Sequence, residues 1–430
     1  MAPSDWLPYF KREYVGLVKQ DWKEGRCKPL KNPQAHILME KAPAGWTPPA
    51  PPKVEKPQPA SPAKKQEAPP APPPKSANKP KSKEEEEDCR TPPPFDMLDL
   101  PPAMEKMGFY TAAQVARRWF NGRKYILSSN PGTVYPDDMI DTKIVSLNFT
   151  LKYKKPKAKY EKLINEDIYS ENAINFSKKI IREFTRKKFV DDGIAFTGEI
   201  DSLALSGRDI QKLHHDFQFQ LAVVTSFDTL DENLGMTDLT ATLGNFFFMA
   251  AIASAKIYSE KYYNYSDPKK PTYCCEPKVE ITHIYVYARD SYSFADKKGK
   301  KSSQYLGHWN RSGVILVPSA AAADVMNNVA GSLGADFDFG NQPDAPTLTP
   351  YVYENGFKKP VDIVQGLFRA SRKQDIYYPV HNSDYKAWRE KFNRGGDFAI
   401  YTDLKKIKLS EPIRFTLEAI CKPAELEPSK

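Results

Sequence analysis

The chain has 430 residues, a net charge of +9 and a hydrophobic content of 40%. The length leaves room for a sizeable core. The charge is too mild and too scattered for a nucleic-acid footprint, so no specific nucleic-acid partner is expected.

Residues 1–42 form a head in which Trp6, Tyr9, Phe10, Tyr14 and Trp22 alternate with Lys and Arg. Their spacing predicts a short helix with an aromatic face. That face either packs on the rest of the chain or buries its aromatics in a partner, which makes these five residues the candidate partner-binding set. No signal peptide opens the sequence, because Asp5 and Lys11 interrupt any apolar run.

Residues 43–94 read as a disordered linker. Nineteen of the 38 prolines lie between Pro43 and Pro102, and such a sequence has too few apolar side chains to offset the entropy of ordering. It serves as an extended spacer or, at Pro70–Lys75, as a ligand for a proline-recognising domain. The run Glu84–Asp88 is a solvated charge block.

Residues 95–425 form one body, followed by a tail at 426–430. Helical spacing is expected over about 102–120, ending at Asn121-Gly122. Val145, Leu147, Phe149, Leu151 and Tyr153 alternate with polar residues and predict a strand. An amphipathic helix follows at 171–189, with Ile174, Ser177, Ile181 and Phe184 inside. Strands are expected at 217–223 and 279–287. Residues 245–257 form a core strand or a buried helix, which periodicity does not separate.

Further along, 312–317 is a short strand, 320–333 a helix of small residues, and 383–392 a helix capped by Asn382 or Ser383. Phe398–Tyr401 and Ile413–Ile420 close the chain as strands. Strands outnumber helices without alternating regularly with them. The fold class is therefore α+β with a largely antiparallel sheet and packed helices.

The stretch Leu239–Ala255 is the longest charge-free apolar run. It is shorter than the roughly 20 residues of a spanning helix and reads as core, with a membrane-disrupting role as the alternative. Cys27, Cys89, Cys274, Cys275 and Cys421 are odd in number and fit no zinc spacing. They read as free thiols in a reducing compartment. His214 and His215, read as neighbours in a strand, face opposite sides and do not share an ion. No metal site and no cofactor is indicated.

Three polar-aromatic clusters offer acid–base groups. The first is Arg289–Phe294, followed by Gln304–Arg311; the second is His381–Tyr385; the third is Arg394–Phe398. The candidate catalytic residues drawn from them are Asp290, Tyr292, His308, Arg311, His381 and Asp397. An Asp after a strand is also an ordinary turn former, and Gly395-Gly396 an ordinary tight turn, so each cluster has a structural reading beside the catalytic one.

The segments LPPAMEKMGFYTAAQVARRWFNG (100–122), DLTATLGNF (238–246), ARDSYSF with QYLGHWN (288–310) and HNSDYKAWREKFNRGGDFAIYTDL (381–404) together resemble the bacterial domain-of-unknown-function family 6402. The match covers about 98–422. The resemblance implies a setting: members are similar to proteins encoded beside type VI secretion spike and PAAR components. An antibacterial effector, or toxin, is then expected, with a spike or PAAR-type carrier and an immunity protein as partners. It would be made in the bacterial cytoplasm and secreted without a signal peptide. If the chain is an enzyme, a hydrolase-type toxin is implied; a non-enzymatic adaptor or cargo protein is the alternative. The family supplies no catalytic residues. Where its pattern carries Asp-Phe after the tyrosine, this chain has Ser293-Phe294, which counts against an enzyme if that Asp is catalytic elsewhere.

Overall fold

The computed structural model describes residues 7–15, 19–27, 37–47, 95–128, 133–231, 236–267, 270–295, 303–311, 313–315, 351–354, 357–360 and 378–424. Of the linker expected over 43–94, residues 48–94 lie outside them, as does the expected small-residue helix at 320–333; residues 43–47 are described, and Trp46 packs edge-on against Phe392 at 5.3 Å.

The head is not helical where it is described. β1 (Leu7–Val15) and β2 (Lys19–Cys27) pair antiparallel, with Tyr9 opposite Gly25, Tyr14 opposite Gln20 and Trp22 opposite Arg12. The expected aromatic helix is therefore corrected to a hairpin. Pro8 lacks the N–H a helix interior needs, and Tyr, Phe and Val favour extended backbone. Residues 37–47 lie against the body. Leu38 bridges Asp96 in parallel, and the Asp96 carboxylate accepts the backbone N–H groups of Glu40 at 2.6 Å and Lys41 at 3.0 Å.

The helical start of the body breaks in two: α1 (Leu100–Lys106) and α2 (Tyr110–Asn121). Gly108, at φ +77°, makes the break in a backbone region open to glycine. The N-terminus of α2 is capped from far away, because the Asp238 carboxylate accepts from the N–H groups of Thr111 and Ala112. β3 (Ile140–Asp141) follows.

The expected strand at 145–153 is instead a short helix, α3 (Leu147–Thr150). Ser146 caps it through the N–H of Phe149, and Asp403 accepts the N–H of Leu147 at 2.7 Å. These two side-chain acceptors satisfy the first turn, and Val145, Leu147 and Phe149 still reach the core. A short alternation of apolar residues did not distinguish the two backbones.

Next come α4 (Lys154–Asn165), α5 (Glu171–Val190), β4 (Gly198–Asp201), α6 (Ser202–Leu205), α7 (Ile210–Phe217) and β5 (Gln218–Val224). α5 buries Ser177 and Ile181 as its amphipathic pattern requires. His214 and His215 stand near the end of helix α7, so the strand geometry assumed for them is also corrected. α8 (Ser226–Thr229) and α9 (Asp238–Thr242) lead into β6 (Phe246–Tyr258).

β6 is the central strand. β9 (Lys278–Tyr292) pairs along one edge of it, and β4 and β5 share the other. The apolar run thus supplies a core strand, almost wholly buried. No helix among the described residues is long and apolar enough to cross a membrane. β15 (Phe398–Tyr401) and β16 (Lys405–Thr416) both pair antiparallel with β9, while β15 pairs parallel with β3. The fold is α+β with a largely antiparallel seven-stranded sheet.

β7 (Lys261–Asn264), β8 (Thr272–Cys275) and β17 (Ile420–Pro423) make a small second sheet. There Cys274 and Cys421 face each other in register and form a disulfide. The reading of all cysteines as free thiols is corrected here: residues 147 apart in sequence become cross-strand neighbours, which spacing does not reveal. Cys275 remains a buried free thiol. A third sheet joins β10 (Tyr305–Asn310), β11 (Gly313–Ile315) and β14 (Tyr378–His381). β12 (Tyr351–Glu354) and β13 (Phe357–Pro360) form a hairpin. α10 (Asn382–Phe392) then leads through Asn393, at φ +50°, to Gly395-Gly396 and β15.

The glycine pair has a steric cause. Gly395 sits at φ +94°, and a Cβ there would lie 2.6 Å from the ring of Trp119; one on Gly396 would lie 2.6 Å from the Arg123 carbonyl. Gly395→Ala combines a strained backbone with overpacking, so it should lower stability by about 2–4 kcal/mol. Urea unfolding of the full chain measures this, and a loss under about 0.5 kcal/mol, as for an ordinary surface change, would contradict the close packing described.

Candidate functional site

The three polar-aromatic clusters meet around one cavity and the aromatic layer behind it. The cavity has a volume of about 430 Å³. Its walls are the end of β9 with Ser293 and Phe294, the turn between α9 and β6, Gln304, Leu306 and Trp309 at β10, and Val380, Asn382 and Tyr385 around the start of α10.

Local structure fixes these walls. Gly307, at φ +107°, lets β10 turn beneath Val314, whose methyl carbon would lie 2.7 Å from a Cβ. Trp309 donates its indole N–H to the Leu306 carbonyl at 3.0 Å. The Asn382 N–H donates to the Gln304 carbonyl at 3.0 Å, and its side-chain amide reaches Gln304 Oε1 at 3.3 Å. His381 precedes α10 as its cap, with its N–H donated to Asp384 at 2.7 Å. The cap is thus His381, rather than Asn382 or Ser383.

Asp290 and Tyr292 are the chemically distinctive members. Alternation along β9 puts both on the cavity face. Neither the Asp290 carboxyl nor the Tyr292 hydroxyl has a side-chain partner among the described residues. Burial raises the Asp290 pKa to about 7; the N–H of Ser291 and the charge of Arg289 pull in the other direction. Burial also pushes the Tyr292 phenol up, and the nearby Asp290 and Asp397 carboxylates add to this. Asp290 therefore exchanges a proton near neutrality, while Tyr292 stays a neutral hydrogen-bond donor.

The other four candidates stand elsewhere. Asp397 lies in the core, accepting the Trp119 indole N–H at 2.9 Å and an ion pair from Arg389. Burial pushes its carboxyl up, against the Arg389 charge and the Trp119 hydrogen bond. Arg311 is half exposed and pairs with Asp99 at 3.2 Å. The His381 ring sits 3.8 Å from Asp384 and does not line the cavity. His308 occupies a β10 position opposite Ile315 and Pro379. Among the described residues, no three His, Cys, Asp or Glu side chains gather as a metal site would require.

Behind the cavity lies an aromatic layer. Phe294 and Tyr385 stack at 3.5 Å between centroids, and Tyr292 stacks on Phe398 at 5.4 Å. Trp119 meets Phe294 and Tyr385 edge-on at 5.2 and 5.1 Å. Tyr385, Asn382, Thr242 and Asn245 also belong to the wall, and the sequence reading had not selected them as site residues. Asn245 does lie in the 238–246 segment, which pointed to this region without showing which side chains it contributes.

Compared with known families, residues 95–417 match the model of a family of unknown function (DUF6402). The chain belongs to that family. The match spans α1 through β16 and includes every wall of the cavity. No curated protein and no solved structure matches the chain.

The raised Asp290 pKa has a signed consequence. The folded state holds this proton up to about pH 7, whereas an unfolded Asp loses it near pH ~4. Folding therefore takes up a proton between these values, and its stability falls as pH rises through that window. Asp290→Asn removes this dependence. Unfolding free energies measured from pH 4 to pH 8 should show the variant gaining on the wild type, and parallel curves would refute the assignment.

Proposed function

We propose that this chain is an antibacterial effector associated with type VI secretion, whose body carries out hydrolysis at the Asp290 cavity. One observation carries the reading: an Asp290 carboxyl with a pKa of about 7 and the Tyr292 hydroxyl, neither with a side-chain partner among the described residues, line a cavity of about 430 Å³. A carboxyl in that range protonates a leaving group in one step and takes a proton from water in the next. Gln304, Asn382 and Asn245 offer amides that orient a polar substrate. Among the described residues no Lys or Arg lines the cavity, which favours a neutral glycan or peptide of the cell envelope over a nucleotide.

Two further features support the setting. The Cys274–Cys421 disulfide suits a protein that acts in an oxidising compartment. The β1–β2 hairpin, which residues 28–36 join to the segment 37–47 held on the body, suits a module that engages a spike or PAAR-type carrier. The hairpin also favours the second reading, a non-enzymatic adaptor in which it and the body hold two partners together.

The test is expression of the full chain in a sensitive bacterial host, once in the cytoplasm and once exported to the periplasm. The expected result is toxicity in the periplasm only, with Asp290→Asn reducing the activity behind it by about a hundredfold or more. Toxicity undiminished in a folded Asp290→Asn protein rules out the cavity as the reactive centre. A folded wild type that harms neither compartment, yet retains a spike protein in a pulldown, replaces the effector reading with the adaptor.

A further inference from the structure

Residues alternate across a strand, so Arg289 faces away from the Asp290 cavity, to the other side of the sheet. Four elements meet there. Tyr287 and Arg289 come from β9, Tyr401 from the facing position of β15, His214 from α7, and Tyr135 from the segment before β3. Gln211 of α7 fixes Tyr135 by accepting its N–H at 2.8 Å and donating to its carbonyl at 2.9 Å.

The side chains are organised but their charge is not balanced. Arg289 Nε donates to the Tyr401 hydroxyl at 3.1 Å, and its guanidinium lies 5.6 Å from the Tyr401 ring centre. Its two terminal nitrogens make no hydrogen bond to any described residue, and no described carboxylate pairs with it. The one acidic residue of α7, Asp216, is taken up by His215 at 2.7 Å.

His214 Nδ1 lies 2.8 Å from the Tyr287 hydroxyl, with its ring 5.8 Å from that of Tyr401. Burial, then the charges of Arg289 and His215, lower its pKa to about 4, so it is neutral at physiological pH. The neutral tautomer that accepts from Tyr287 at Nδ1 carries its proton on Nε2.

A half-buried guanidinium in a ring of hydroxyls, with its planar donor fork unused by the described residues, has no counter-charge among them. We propose that this cluster binds an oxyanion, the carboxylate or phosphate group of a ligand, on the Arg289 guanidinium with Tyr401 and His214 beside it. Arg is suited to this role because its paired N–H donors match the two oxygens of such a group. The site is separate from the Asp290 cavity, whose wall holds no cation among the described residues, and the inference does not depend on hydrolysis there.

The experiment uses the full chain at constant ionic strength. Inorganic phosphate and acetate are titrated separately, with chloride as the control, while the melting temperature and the NMR signals of the histidine rings are followed. Phosphate, acetate or both should raise the melting temperature, and the His214 signal should move with the same Kd; whichever anion binds tighter names the ligand class. Arg289→Gln should weaken binding about tenfold or more, and Arg289→Lys should retain part of it. The proposal fails if neither anion acts beyond chloride. It also fails if the melting temperature rises while His214 stays still, since the ion then sits elsewhere. If Arg289→Gln does not fold, Arg289→Lys and the His214 signal decide the outcome.

Discussion

The body is organised around a buried charge that the core must keep satisfied. Asp397 is 1% exposed and Arg389 3% exposed, and each needs the other. Removing one partner of such a pair costs on the order of 3–5 kcal/mol, because the remaining charge is stranded in low dielectric. Trp119 gives the carboxylate a second donor and lays its ring under the guanidinium, 5.1 Å from its carbon. The indole reaches Asp397 only if α2 packs against the turn between α10 and β15. That turn comes close enough only because Gly395 lacks a side chain. One ion pair thus fixes the relative position of two helices and a strand of the main sheet.

The cavity inherits its shape from this arrangement. Tyr385 and Trp388 project from α10 onto Trp119, and Phe294 stacks on Tyr385. Tyr292 stacks on Phe398, immediately after Asp397. The aromatic layer holds the end of β9 so that Asp290 meets the cavity with no side-chain partner among the described residues. Asp290 and Asp397 look equivalent as acidic residues beside aromatics, yet their surroundings give them different work. Asp397 is spent on the core, whereas Asp290 is left to exchange a proton.

The two faces of β9 separate two chemistries within consecutive residues. On one face a carboxyl stands in a cavity whose described wall mixes amides and hydroxyls with apolar side chains and holds no cation. On the other a guanidinium with no carboxylate partner among the described residues stands among tyrosines and a neutral histidine. Strand alternation keeps them from pairing with each other, so each is available to a ligand.

By itself the sequence determined the fold class, the amphipathic helix at 171–189 and the alternating strand at 279–287, while it left 245–257 as a core strand or a buried helix. Each of these rests on a periodic pattern that burial enforces directly. It also selected Asp290 and Tyr292, but as residues following a strand; the structure extends β9 through both. Only the tertiary structure decided which backbone the 145–153 stretch adopts, since Asp403, far along the chain, caps it as a helix. The same holds for the Cys274–Cys421 bond, which depends on strands meeting across 147 residues. It holds for Asp397 as well, whose role was set by Trp119 and Arg389. Local pattern records which face of an element is buried; which partner waits there is a property of the assembled chain.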